Sequence, residues 1–214
     1  EFRVSKEIAV GPYATVLSVK MIGDPDKRGE MALKVMHKVA GPAWKAVKRM
    51  NPTVIKAVQD YPHANVAGTF ETGTIMDDVY VLQELVEGID LRTLLTMSPE
   101  PLGELSLRAR IGIAVQIAAA LEHLHGIRFA SDKRKRLVHG DIQPGNVMIG
   151  PDGLVRVMDT GFAELAQATI KPAFEGATIG SPGYLSPEQL ADKKIGPATD
   201  VYAFGVLLAE ILLG

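Results

Sequence analysis

The chain has 214 residues, 47% hydrophobic and 22% charged, which is the make-up of one globular domain or two closely packed lobes rather than of a disordered segment. A formal net charge of −2 gives nucleic acid and anionic membranes no long-range attraction to the chain, so neither is expected as a partner. There is no cysteine, which removes disulfide scaffolds, thiolate zinc sites and cysteine nucleophiles together and suits a reducing compartment; the expected location is cytoplasmic.

In chain order, Val4 to Val10, Thr15 to Ile22 and Met31 to His37 are short β-branched or apolar runs separated by Gly, Pro and Asp clusters, and they predict an antiparallel meander. Pro42 to Asp60 has helical spacing, but Asn51-Pro52 reads as an N-cap followed by a first-turn proline, so two short helices are expected. Val66 to Thr74 and Val79 to Gln83 then complete a five-stranded sheet. After Glu87-Gly88 the period turns helical, with Leu107, Ile111, Ala114, Val115, Ala118, Leu121 and His125 predicting one apolar stripe closed by Gly126. The charge run Lys133 to Arg136 reads as a solvated loop leading into a strand at Leu137-Val138, rather than as a phosphate-binding or nuclear-localisation patch. Val147 to Ile149 and Leu154 to Met158 flank turns, and a second strongly apolar helix begins near Pro197.

The most apolar segments, Ile111 to Leu124 and Val201 to Leu213, are broken by Gln116, Glu122 and Glu210, so no membrane insertion is expected within this segment. The chain opens on Glu1 without a charged-then-apolar leader and reads as a piece of a longer parent carrying further domains. The predicted class is α+β: a β-rich lobe, a linker near residues 84–90, and a helical lobe.

The chemistry concentrates in Val138-His139-Gly140-Asp141-Ile142-Gln143-Pro144-Gly145-Asn146-Val147-Met148-Ile149, followed by Val155-Arg156-Val157-Met158-Asp159-Thr160-Gly161. This stretch resembles the catalytic loop and metal-binding turn of protein kinases, where one carboxylate meets the attacking hydroxyl while a carboxamide and a second carboxylate hold Mg²⁺. Asp141 and Asn146 are five residues apart across a proline turn, and Asp159 follows thirteen further on, a spacing that lets three oxygen-bearing groups converge on one phosphate. Singly, each is an ordinary turn Asp or Asn; the joint pattern is what carries the reading.

The resemblance extends along the chain. Met31-Ala32-Leu33-Lys34-Val35-Met36 is similar to the strand whose lysine meets the α- and β-phosphates of ATP, and Ile8 to Val16 to the glycine-rich hairpin over them. Tyr80 to Gly88 resembles the last strand running into the hinge between lobes. By that match Glu84 and Val86 present backbone groups to adenine, Gln83 guards the pocket behind, and Asp90 reaches the ribose. Gly180-Ser181-Pro182-Gly183-Tyr184-Leu185-Ser186-Pro187-Glu188 resembles the end of an activation segment of the Ser/Thr type, and Thr199 to Val206 the buried helix whose aspartate braces the catalytic loop. The resemblance therefore implies a bilobal protein-kinase-like fold, with an N-lobe over residues 1–86, a C-lobe over 87–214, and ATP with Mg²⁺ as cofactors. The catalytic set is Asp141, Lys34, Asn146 and Gln143; the nucleotide set is Ala9, Gly11, Val16, Ala32, Lys34, Glu84, Val86, Asp90 and Met148; and the metal ligands are Asn146 and Asp159. The implied partner is a protein substrate offering Ser or Thr.

The pattern departs from the family in several places. Only Gly11 remains of three hairpin glycines, and Ala9 and Ala14 do not take positive φ cheaply, so a stiffer lid is expected. Between Met31 and Phe70 the only carboxylate is Asp60, so Lys34 lacks the helix glutamate that usually orders it and needs another acid or the phosphates. Gln143 stands where a lysine usually faces the γ-phosphate, Gly140 replaces the arginine that reads a phosphorylated segment, and Thr160 replaces a phenylalanine. These departures open a second reading, a pseudokinase acting as a binding module. A third, a phosphotransferase of the aminoglycoside or choline type, shares the His-Gly-Asp-x-x-Pro-Gly-Asn loop but not the Gly180 to Glu188 segment. The resemblance stops at Gly214, where protein kinases continue with further helices, so the C-lobe is expected to be incomplete. Glu188 is then expected to be unpaired, and Val206, Leu207, Ile211 and Leu212 to lose cover.

Overall fold

A computed structural model of the chain describes residues 1–11, 14–23, 29–36, 52–75, 78–97, 105–129, 132–160 and 181–213. The N-terminal part is a five-stranded antiparallel sheet of β1 (Phe2–Val10), β2 (Ala14–Met21), β3 (Glu30–Met36), β4 (Thr69–Ile75) and β5 (Asp78–Glu84), in the order β1-β2-β3-β5-β4. Side chains alternate between the two faces of a strand, so the register sorts them. Val19 opposite Met31 and Leu33 opposite Leu82 join Tyr80 in a buried cluster on one face. The other face carries two cross-strand rows: Ala9, Val16, Lys34 and Val81, then Ser18, Ala32 and Gln83. Sliding β3 by one residue would bury Lys34 in the apolar cluster, and this fixes the lysine's side of the sheet.

Helix α1 (Pro52–Asp60) begins at the proline, and the helix expected before it lies outside the described residues. Val54, Ala57 and Val58 of α1 join the main core. The C-terminal part holds a three-stranded sheet, β10-β9-β6, of β6 (Ile89–Asp90), β9 (Val147–Ile149) and β10 (Val155–Val157), and a hairpin of β7 (Arg128–Phe129) and β8 (Asp132–Arg136). Its helices are α2 (Leu91–Thr96), α3 (Leu107–Gly126), α4 (Pro187–Leu190) and α5 (Pro197–Leu213), with a 3₁₀ turn over Pro144–Asn146. Antiparallel sheet followed by helices makes the fold α+β, as expected.

Helix α3 turns Ile113, Ala114, Ile117, Ala120, Leu121 and Leu124 inward, where they meet Leu137, Ile142, Val147, Val155, Val157, Leu207 and Ile211. Fully buried Ile117, Leu124 and Leu207 each contribute about 1.5–3 kcal/mol of transfer free energy. Of the stripe expected on α3, Ala114 and Leu121 are buried, but Leu107, Ile111, Val115 and Ala118 face out. The helix is apolar on more than one face, so periodicity alone could not choose the face that β10 and α5 would cover.

Three further expectations are corrected. The charge run is itself a strand, β8, pairing with β7, and Leu137-Val138 is irregular and buried instead. The fourth sheet strand starts at Thr69, because Val66 makes a parallel bridge to Val157 rather than joining the ladder. Of the four α5 residues expected to lose cover, Leu207 and Ile211 keep it at 0% and 1% exposure, since α5 lays that face on α3, while Val206 and Leu212 are half-buried.

Candidate functional site

The site is built outward from Asp200 in the first turn of α5, a carboxylate with no solvent exposure. It accepts from the His139 N–H at 2.8 Å, the Gly140 N–H at 2.6 Å and His125 Nε2 at 2.7 Å. Gly140 has φ +77°, a left-handed conformation that favours glycine. Fully buried His139 donates from Nε2 to the Met158 carbonyl at 2.7 Å, and its Nδ1 accepts from the Asp141 N–H at 3.3 Å. A carbonyl can only accept, so this fixes the neutral tautomer and ties the loop at 139–141 to the strand end at 158.

Asn146, at the end of the 3₁₀ turn, donates from Nδ2 to the Asp141 carbonyl at 2.8 Å and to Asp141 Oδ2 at 2.9 Å. Its amide hydrogens thus face Asp141, and its carboxamide oxygen remains as an acceptor. The Met158 N–H donates to the Asn146 carbonyl at 2.8 Å, which brings Asp159 beside the loop. Asp159 sits at φ +58°, uncommon for a side-chain-bearing residue and the kind of backbone found at functional sites.

Lys34 reaches this cluster from β3, with Nζ 2.6 Å from Asp159 Oδ2 across 125 residues of sequence. The acid that Lys34 lacks between Met31 and Asp60 is supplied here by Asp159. Lys34, Asp141, Asn146 and Asp159 are thereby brought together. Gln143 lies in the same loop, its Oε1 accepting from Arg92 Nη2 of α2.

The residues expected to hold nucleotide lie on several elements. Ala9, Val16 and Lys34 share one cross-strand row and Ala32 the next. Ala9 and Ala14 lie in β1 and β2, where no positive φ is called for, and Gly11 closes on the Ala14 carbonyl at 2.8 Å. The stiffening expected from missing glycines therefore has no basis at these two positions. Asp90 and Met148 are partners in the β6–β9 ladder. Both carboxylate oxygens of Asp90 accept from Thr93, capping α2. The Glu84 N–H donates to the Gly68 carbonyl at 2.8 Å, and its carboxylate pairs with Arg156 Nε at 3.1 Å, facing a cavity of about 600 Å³ shared with His63 and Phe70. Val86, at the hinge position, is buried.

Sequence reasoning assigned no role to Ser181, Gln189, His125 or Arg92. Ser181 donates from N–H and Oγ to Asp141 Oδ1 at 3.2 and 3.4 Å. Gln189 completes a capping box with Ser186 at the start of α4 and donates to the Gly140 carbonyl at 2.9 Å. Ser181 and Gln189 lie in or beside the Gly180 to Glu188 motif, which was the available signal. Nothing local marks Arg92. Glu188, expected to be unpaired, accepts from Thr199 Oγ1 at 2.6 Å, and that hydroxyl lowers its pKa. Thr160 Oγ1 is buried with no hydrogen-bond partner.

The donor set fits a hard cation. Asp159 offers carboxylate oxygens and Asn146 a carboxamide oxygen, while no group of three or more His, Cys, Asp or Glu side chains among the described residues could hold a metal. Mg²⁺ suits this arrangement, because it is bound through one or two protein oxygens together with substrate phosphates. No helix among the described residues is long and apolar enough to cross a membrane.

The family described as protein kinase domain matches residues 2–214. Serine/threonine-protein kinase PksC of Streptomyces coelicolor is 31% identical over 204 residues, covering 92% of this chain and 35% of its own length. Serine/threonine-protein kinase max-2 of Caenorhabditis elegans is 29% identical, covering 100% of this chain and 30% of its own length. PknA of Mycobacterium tuberculosis, also a serine/threonine-protein kinase, is 32% identical over 77% of this chain and 34% of its own. The chain thus spans about a third of the length of these curated relatives.

Proposed function

The chain belongs to the protein kinase domain family, and from that premise we propose that it transfers the γ-phosphoryl group of Mg-ATP to Ser or Thr hydroxyls of protein substrates. One observation carries the reading: Lys34 of the N-terminal sheet lies 2.6 Å from Asp159, beside the loop in which Asn146 holds Asp141. The proposal divides the chain into a nucleotide-holding lobe, residues 1–86, and a catalytic lobe, 87–214, with adenine against the backbone of Glu84 and Val86.

When bound, Mg-ATP supplies the activated phosphoryl group and the divalent charge that neutralises it. Asp159 and Asn146 hold the metal through oxygen. Lys34, which shares a cross-strand row with Ala9 and Val16, would exchange Asp159 for the α- and β-phosphates. Asp141 takes the proton from the acceptor hydroxyl as that oxygen bonds to phosphorus and the bond to the ADP oxygen breaks. Before that, the Ser181 hydroxyl and N–H keep Asp141 Oδ1 oriented. Rate enhancement comes from positioning and charge, with no covalent enzyme intermediate.

The test is ATP-dependent phosphate transfer to a generic basic protein by the full-length parent, with Asp141→Asn as control; equal transfer by the control overturns the assignment. A second reading, a module that holds nucleotide without transferring it, is favoured by one feature: Asp159, the metal ligand, is the acid that engages Lys34. Nucleotide binding without transfer by the full-length protein would select it.

A further inference from the structure

We infer that Arg92 is the cation that contacts the transferring phosphoryl group, in the place that neutral Gln143 cannot fill; this rests on the phosphoryl-transfer reading of the site. Phosphoryl transfer spreads negative charge over oxygens between donor and acceptor, and a fixed cation beside that line lowers the barrier. The loop from Asp141 to Asn146 contributes no cation of its own: its side chains are carboxylate, isoleucine, carboxamide, proline, glycine and carboxamide. Lys34 approaches from the opposite part of the molecule and is engaged by Asp159.

Arg92 comes from the first turn of α2, which follows directly from β6, and β6 pairs with β9 immediately after Asn146. Its Nη2 donates to Gln143 Oε1, and its guanidinium lies across Gly145. A Cβ on Gly145 would stand 3.1 Å from Nη2, 3.3 Å from Nε and 3.4 Å from Cζ, so the planar group lies close against the loop at the glycine. Gln143 is a neutral partner and takes one of five N–H donors, and no carboxylate among the described residues forms an ion pair with Arg92. Glu210 lines the same cavity but accepts from the Tyr184 hydroxyl instead. That cavity, about 500 Å³, is lined by Arg92, Pro144, Ser181, Tyr184 and Glu210, and Ser181 is the residue that bonds Asp141. A guanidinium with no ion-pair partner among the described residues therefore lines the cavity that Ser181, the residue bonded to Asp141, also lines, with donors in the planar array that matches phosphate oxygens.

The experiment uses the full-length protein and reads both binding and rate. Affinities for Mg-ATP and Mg-ADP are measured by calorimetry in wild type, Arg92→Ala, Arg92→Lys and Arg92→Ala/Gln143→Lys, alongside kcat and KM for a basic acceptor protein. Arg92→Ala should narrow the ATP-over-ADP preference and lower kcat by about 10²-fold, the loss typical of removing one charge-stabilising donor, with acceptor KM nearly unchanged. Arg92→Lys should keep part of both, and Gln143→Lys should restore both in the Arg92→Ala background, because a cation returns to the same loop. An unchanged ATP-to-ADP ratio in Arg92→Ala overturns the inference. So does a change confined to the KM of acidic acceptors, which would assign the guanidinium to the acceptor chain. If wild type binds nucleotide and transfers nothing, the phosphoryl-transfer reading fails instead, and the ATP-to-ADP ratio still decides whether Arg92 touches the γ-phosphate.

Discussion

Asp141 and Asp159 are both aspartates of one small cluster, yet their contacts assign them different work, and substitution should separate them. Asp141→Asn keeps an oxygen for Asn146 Nδ2 but loses the proton acceptor, so kcat should fall by about 10²–10⁴ while Mg-ATP affinity stays close to wild type. Asp159→Ala removes the partner of Lys34 and, on the proposed function, a metal ligand, so turnover and affinity should fall together. Steady-state kinetics with calorimetry on the full-length protein checks both, and matched affinity losses in the two variants would contradict the division of roles. His63 gives a pH-dependent expectation. Burial, and then the charge of stacked His123, hold its pKa below the ordinary 6.5, while its Nδ1 accepts from the Asn65 N–H at 3.1 Å. Folded His63 therefore binds fewer protons than unfolded His63, and its contribution to stability is fully present above the unfolded pKa and lost as pH falls towards the folded one. Denaturant midpoints should drop on acidification from about pH 7 to pH 5. His63→Asn, which keeps an acceptor for Asn65, should flatten that slope; an unchanged slope would show that other groups set it.

Two short elements hold the catalytic loop, α4 through Gln189 and the first turn of α5 through Asp200. Asp200→Ala would leave the buried His139 and Gly140 N–H groups without an acceptor, each at about 1–3 kcal/mol. The expected total, about 3–5 kcal/mol, is a large share of a domain's stability, and urea melts of Asp200→Ala and Asp200→Asn would measure it. The asparagine should lose less, since it retains one acceptor oxygen. Much of this frame was legible in the sequence. The run Met31 to Met36 is apolar but for Lys34 and bounded by turn residues, so the strand was legible, whereas its register and the face of Lys34 come from the pairing with β2 and β5. Asp141, Asn146 and Asp159 were legible because their joint spacing resembles that of the protein-kinase loop and metal-binding turn, although each alone is an ordinary turn residue. The buried face of α3 was not, since Leu107, Ile111 and Val115 are as apolar as Ile113, Ile117 and Leu124, and only the tertiary partner breaks the tie. Strand β8 was hidden because Asp132 and Arg136 pair with Phe129 and Arg128 through the backbone, which charge patterning does not report. Arg92 was hidden for the same reason as Ser181's bond to Asp141: each contact depends on where two distant segments are laid together.

At the scale of the whole molecule, the sheet and the helical part are joined by charge as well as by packing. Arg156 pairs with Glu84 at 3.1 Å, and Lys34 with Asp159 at 2.6 Å, the latter at 15% and 16% side-chain exposure. On the proposed function, the second pair is the one that nucleotide would remodel, because the lysine would turn to phosphates and the aspartate to Mg²⁺. Binding would then exchange one ion pair for two charge-assisted sets that hold the same two segments through the ligand. A ligand that binds only the folded state adds about 2.7 kcal/mol at 100 times its dissociation constant, so wild type should melt later in Mg-ATP by a corresponding amount. Lys34→Met cuts both links at once: without ligand it strands a largely buried Asp159 carboxylate, and with ligand it removes the phosphate contact. Its melt should fall below wild type in plain buffer and should recover less in millimolar Mg-ATP. Addition of Mg²⁺ alone should separate the two effects, since the cation can neutralise stranded Asp159 but cannot replace the lysine on the phosphates. If Lys34→Met gained as much from Mg-ATP as wild type, Lys34 would have no part in holding nucleotide, and its contact with Asp159 would be a purely structural tie between sheet and loop.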